Sequence, residues 1–171
     1  MGRYRVVPER SEVVIDVRSN VHPIHQRATG VEGFVEFTTH ADGSRDLEAG
    51  AAAELVLAVD RLRARNPLET AELRRRIDAR RFPVITGRLD SMRATAVVGS
   101  YLARGDVTFR GVTRPAEDEI RMTDLDAGAL RIEGTHEFDI REFGMEPPRV
   151  LMMRVEPLVT VRIDVVAEQA D

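Results

Sequence analysis

From Leu151 to Val165 the chain alternates: Leu151, Met153, Val155, Val159, Val161, Ile163 and Val165 occupy odd positions, and Arg154, Glu156, Thr160, Arg162 and Asp164 occupy even ones. A period of two sends these sets to opposite faces of an extended strand. Such a strand must bury one face and solvate the other, so it needs neighbours that do the same. Pro157 has no N–H to give a ladder, which predicts an edge or a bulge there.

The same alternation recurs along the chain. It appears at Val13, Ile15 and Val17, at Val31, Val35 and Phe37, and at Leu55, Leu57 and Val59. Tyr101, Ala103, Val107 and Phe109 repeat it, as do Leu130, Ile132, Phe138 and Ile140. One segment breaks the pattern. Asn66 before Pro67 reads as an N-cap with proline at the first helical position, and Leu68, Ala71, Leu73 and Ile77 follow at helical spacing. This predicts a helix over about 67–81, ended by Pro83. About eight antiparallel strands with one inserted helix make either a sandwich or a closed barrel. A single helix cannot cover so many apolar strand faces, which favours an eight-stranded antiparallel barrel.

The 171 residues suit one domain, 1–171, and 43% hydrophobic residues supply a core. All 25 basic residues are Arg, but they are interleaved with 29 acidic ones, for a net charge of −4. That balance argues against a nucleic-acid partner, which would require a concentrated basic face. The absence of Cys excludes disulfides, thiol nucleophiles and thiolate metal sites. No apolar run approaches a membrane span or a signal peptide, so the expectation is a soluble, cytoplasmic chain. No nucleotide-binding or hydrolase fingerprint occurs, so catalysis has no positive support.

The stretch "YLARGDVTFRGVTRPAE", residues 101–117, is unusual for a strand in carrying Gly105 and Gly111. Glycine inside a strand marks a bend or a place where something approaches the backbone. With "YRVVPERSEVVIDVRS", "TGVEGFVEF", "LRRRIDARRFPVITGRL" and "FDIREFGMEPPRVLMMRVEPLVTVRIDVV", it follows the order and spacing of the YceI-like domain. Residues 105–115 resemble that family's Gly-x-Leu-Thr-x-[Arg/His]-Gly-Val-Thr-[Lys/Arg]-Pro signature, and Phe143-Gly144 resembles its penultimate loop. The resemblance covers about residues 4–167. It implies a lipocalin-like β-barrel whose lumen binds a long amphiphile: a polyisoprenoid, an isoprenoid quinone or a fatty amide. It also implies a homodimer as an alternative scaffold role. The family's usual His-Ser pair in the first strand reads Arg10-Ser11 here.

On the barrel reading, Tyr101, Gly105, Val107 and Phe109 share the lumen face of one strand, while Arg110 points outward and Gly111 to Pro115 turn the corner. His136 and Phe138 share the apolar face of a later strand, and Met153 that of the last. These, with Asn20 and His22 at a polar mouth, are the expected ligand-binding residues. No catalytic residue and no cofactor is expected. His22, His25 and His136 are the candidates for a metal site or an enzymatic alternative, on condition that the first loop folds over the strand bearing His136; zinc needs at least three protein ligands.

Overall fold

The computed structural model describes residues 2–171. The strands are β1 (Gly2–Val6), β2 (Glu12–Ser19), β3 (Ile24–Thr29), β4 (Glu32–Thr39), β5 (Arg45–Asp46), β6 (Ala52–Ala58), β7 (Val84–Ala94), β8 (Ser100–Phe109), β9 (Val112–Asp124), β10 (Leu130–Asp139), β11 (Arg149–Val150) and β12 (Met153–Gln169). The helix α1 (Pro67–Ile77) lies between β6 and β7. Strands β1 and β2 act as one long strand broken by a 3-10 turn at Pro8–Arg10, and β3 and β4 form its antiparallel partner. Counted so, eight long strands follow one another in an up-and-down meander. The ring closes where β12 pairs β2 over Val155–Asp164 and β1 over Ala167–Gln169. Closure leaves almost no open edge, which suits a chain whose strands each have one apolar face.

Ser11 splices the broken first strand to the last. Its Oγ donates to the Val7 carbonyl at 2.8 Å and accepts from the Val166 amide at 3.0 Å, and its side chain is buried. Arg10 turns outward, where its guanidinium meets Glu168 at 3.1 Å. In place of the histidine that the sequence resemblance implies, this chain therefore has a surface ion pair.

Three boundaries differ from the sequence reading. The helix stops at Ile77, because Asp78 adopts a left-handed conformation (φ 60°) and returns its N–H to the Arg74 and Arg75 carbonyls. The corner after β8 is a tight turn of two residues, Arg110 (φ 52°) and Gly111 (φ 71°), with Phe109 opposite Val112. Pro115 therefore lies inside β9, opposite Asp106. Its missing N–H is tolerated because β9 pairs β10 only from Ile120 to Asp124, so this stretch has a ladder on one side alone. The last strand begins at Met153, and Leu151 belongs to the exposed β11–β12 turn. Pro157 does coincide with a register shift between Val155 and Val159.

The interior is divided along the barrel axis. At one end Val35, Phe37, Met92, Leu130 and Ile132, with Tyr4 and Tyr101, fill the lumen with side chains. The other end carries a second apolar cluster around Val13, Leu57, Phe109, Ile140 and Phe143, and α1 packs over it through Leu73 and Ile77. The hollow part of the barrel lies in this second half.

Candidate ligand cavity

A cavity of about 310 Å³ occupies the α1 end of the barrel. Aliphatic residues of eight strands form its wall, including Ile15 of β2, Leu57 of β6, Ile85 of β7 and Val161 of β12. Leu73 and Ile77 of α1 cover it. Phe109, Phe138 and Phe143 meet edge-to-face at one side, with ring centroids 5.4–6.5 Å apart. These rings come together because Phe109 ends β8, Phe138 lies on the inward face of β10, and Phe143 sits in the 3-10 turn that follows β10.

Few polar side chains reach this space, and they fall in separate places. His136 lies on the inward face of β10, its Nδ1 2.7 Å from Asp118 Oδ2 on β9. The contact is a close approach rather than an aligned hydrogen bond, since Nδ1 has no partner along its N–H direction, and it becomes an ion pair when the imidazole is protonated. Asp118 raises the His136 pKa above its ordinary value, partial burial opposes this, and Glu142 adds a weaker upward pull. The imidazole also stacks on Phe138, at 5.9 Å between centroids. Gln26 of β3 is buried against the wall, between the inward-facing Ile24 and Ala28.

The third polar group is at the rim. Asn66 caps α1 by accepting from the Glu69 amide at 2.9 Å, which fixes Glu69 in the first helical turn. The Glu69 side chain then turns into the cavity, where Oε2 is buried without a hydrogen-bond partner and Oε1 lies 4.0 Å from His22 Nε2. A buried carboxylate oxygen without a donor is costly, so it marks a place where a ligand hydroxyl, amide or water would be held.

Five of the residues singled out in the sequence line this cavity: Val107, Phe109, His136, Phe138 and Met153. Tyr101 shares their strand parity but belongs to the filled half. Gly105 makes room for a strand: a Cβ there would sit 1.8 Å from the Arg88 carbonyl oxygen of β7, beside the bulge between Leu89 and Ser91. Asn20 is exposed and ties two turns together, donating to the Met152 carbonyl at 3.1 Å and accepting from the Arg154 amide at 2.6 Å. His22 stands at the rim beside Glu69. His25 faces outward to Asp16, so the three histidines do not converge, and no group of three metal-ligating side chains occurs among the described residues.

Sequence reading missed Gln26, Asp118 and Glu69. The first two had a signal: Gln26 alternates with Ile24 and Ala28, and Asp118 with Ala116, Ile120 and Met122. Glu69 had none, since an acidic residue in a first helical turn is ordinarily a solvated one.

Arg110 does not point outward. Its guanidinium donates to the Ile77 carbonyl at the end of α1 and to the Phe143 and Gly144 carbonyls. Arg114 likewise donates to the Glu142 carbonyl at 3.0 Å. The Thr-Phe-Arg-Gly-Val-Thr-Arg stretch therefore clamps the helix and the Phe143 turn against the end of the barrel.

The YceI-like domain family matches residues 4–167, spanning this barrel, its inserted helix and the clamping signature. The chain belongs to the YceI-like family. Solved structures agree on the fold. Burkholderia cenocepacia BcnA aligns with a TM-score of 0.76 at 13% identity, over 94% of this chain and 98% of its own. A polyisoprenoid binding domain from Saccharophagus degradans, implicated in plant cell wall breakdown, aligns at 0.74 and 13% identity, over 98% of both chains. The YceI protein of Campylobacter jejuni gives 0.63 at 10% identity, over 90% of this chain and 85% of its own. No curated protein matches the sequence. Within this YceI-like chain the family signature is thus chiefly a device for closing one end of the barrel.

Proposed function

We propose that this chain binds the hydrocarbon chain of an amphiphile in the hollow half of its barrel and carries it shielded from water. The observation that carries this reading is the cavity of about 310 Å³ walled by aliphatic and aromatic side chains, with polar groups confined to His136–Asp118, Gln26 and the Glu69 rim. Its volume is at the lower end of ligand pockets, roughly 300–1,000 Å³. It suits a short prenyl or acyl chain, or one segment of a longer chain whose far end stays at the rim. The polyisoprenoid-binding description of the Saccharophagus degradans relative supports an isoprenoid as the ligand class.

Burial supplies the affinity. At ~0.8 kcal/mol per CH₂, a dozen buried carbons contribute roughly 10 kcal/mol before the cost of immobilising the chain, about 4 kcal/mol or more, is subtracted. The polar groups then set direction. A head group left at the Glu69 rim would give that carboxylate the donor it lacks. Organic extraction of the purified protein followed by mass spectrometry is expected to release a prenyl or acyl lipid. Recovery of none, together with no uptake of added farnesol by the delipidated protein, would overturn the reading.

A further inference from the structure

Three turns meet at the rim of the cavity. The β2–β3 turn is joined to the β11–β12 turn through Asn20, which bonds Met152 and Arg154. It is joined to the first turn of α1 through His22 and Glu69. Each turn contributes to the cavity from within: Ile24 from the first, Met153 from the second, Glu69 and Leu73 from the helix. Each also exposes a large apolar side chain to the outside. Val21 is 61% exposed, Leu68 58%, Leu151 91% and Met152 85%. Leu151 holds this place in a left-handed conformation (φ 54°), so the turn spends backbone strain on presenting it.

The charge around these tips is the opposite of the chain's net −4. Arg18, Arg65, Arg149 and Arg154 are exposed, and none makes an ion pair among the described residues. Arg149 and Arg154 are direct cross-strand partners, an unfavourable like-charge pair unless an anion lies against it. Of the nearby carboxylates, Glu146 is exposed but paired with Arg76 at 2.8 Å, Glu69 is turned inward, and Glu156 is exposed with no ion pair among the described residues.

We propose that this rim docks on a bilayer surface bearing anionic head groups, with Leu151, Met152, Leu68 and Val21 entering the interface and the four arginines resting on lipid phosphates. Apolar tips ringed by cations are what an interfacial contact requires, because burial and attraction to anionic lipid add. A second copy of the chain fits less well, since a two-fold contact through this patch would bring its arginines against their own copies. The inference rests on the carrier reading: the face that touches lipid is the one through which the cavity's ligand would pass.

The test is co-sedimentation of the delipidated full chain with phosphatidylcholine vesicles, with or without about a third phosphatidylglycerol. Binding is expected to the anionic vesicles, much weaker to the neutral ones, and to fall as salt shortens the screening length from ~10 Å toward ~3 Å. Leu151→Asn with Met152→Ser should weaken it at least about tenfold, and Arg149→Gln with Arg154→Gln about tenfold or more. Both pairs are exposed, so uptake of farnesol from water should be unchanged. Absence of vesicle binding by a protein that still takes up farnesol would overturn the docking and leave carriage standing. Loss of farnesol uptake in the unmodified protein would count against carriage itself. Dimers by light scattering that disperse in the Leu151→Asn, Met152→Ser variant would assign the patch to a second copy and overturn the proposal.

Discussion

A methyl group added at Gly105 would put carbon 1.8 Å from the Arg88 carbonyl oxygen, a contact that only movement of backbone could relieve. Gly105→Ala is therefore expected to cost about 2–4 kcal/mol, read by chemical denaturation. Gly87→Ala is the control: it lines the cavity and its new methyl meets nothing within 4 Å, so it should fold with less than about 1 kcal/mol lost. The parity of Gly105 was legible in the sequence, but the reason for glycine was not. Alternation tells which face a residue takes and says nothing of how closely the next strand passes. At His136 the residue type and the inward face were both legible, whereas its partner Asp118 came from a strand 18 positions earlier. Because the folded pKa of His136 is raised, the stability from this pair is fully present below about pH 6.5 and is lost as pH rises through the folded value. A proton-NMR titration should show the His136 midpoint falling in Asp118→Asn; an unchanged midpoint would remove Asp118 as the cause.

Among elements, the β8–β9 turn has the widest influence. Arg110 reaches the last carbonyl of α1 and two carbonyls of the Phe143–Gly144 turn, so one side chain holds two covers on the barrel end. Gly111 completes the turn at φ 71°, with the Phe82 ring where a Cβ would be, 2.7 Å away. Arg110→Ala leaves those carbonyls short of a charged donor and should cost about 2 kcal/mol. Amide exchange is expected to quicken in α1 and around Phe143 and to stay slow in β4 and β12 at the filled end. Uniform quickening across the barrel would show instead that the clamp is not local. The helix itself is pinned by Glu72, whose carboxyl Arg75 and Arg76 hold down to about 2. Glu72 and Arg76 are mostly covered and Arg75 is open to solvent, so the cluster's contribution is modest, present above about pH 4.5 and lost only as pH falls toward 2. The strands and the N-cap of α1 were legible because period and capping chemistry are local. The left-handed Asp78 that ends the helix four residues early was not, since Arg80 and Arg81 continue a helix-forming composition.

The whole barrel is a closed ring with one half packed and the other hollow. Eight strands and one helix were visible in the alternation, but that the signature turn lies at the end carrying the helix was not, since the outward reading of Arg110 hid its bonds to Ile77 and Gly144. Which half is hollow was not visible. Tyr101 and Val107 have the same parity on the same strand, yet one fills the packed half and the other lines the cavity, because depth along the axis depends on how all eight strands stagger. The central claim is that the hollow half is a ligand site, and calorimetric titration of farnesol into the delipidated protein tests it most directly, comparing the native chain with Val107→Trp. An indole at Val107 would occupy the cavity at an overpacking cost of roughly 1–3 kcal/mol, which a folded barrel can absorb. The account predicts one farnesol per native chain and at least tenfold weaker uptake in a folded Val107→Trp protein. Equal affinity in the two, or no saturable uptake by the native chain, would contradict it.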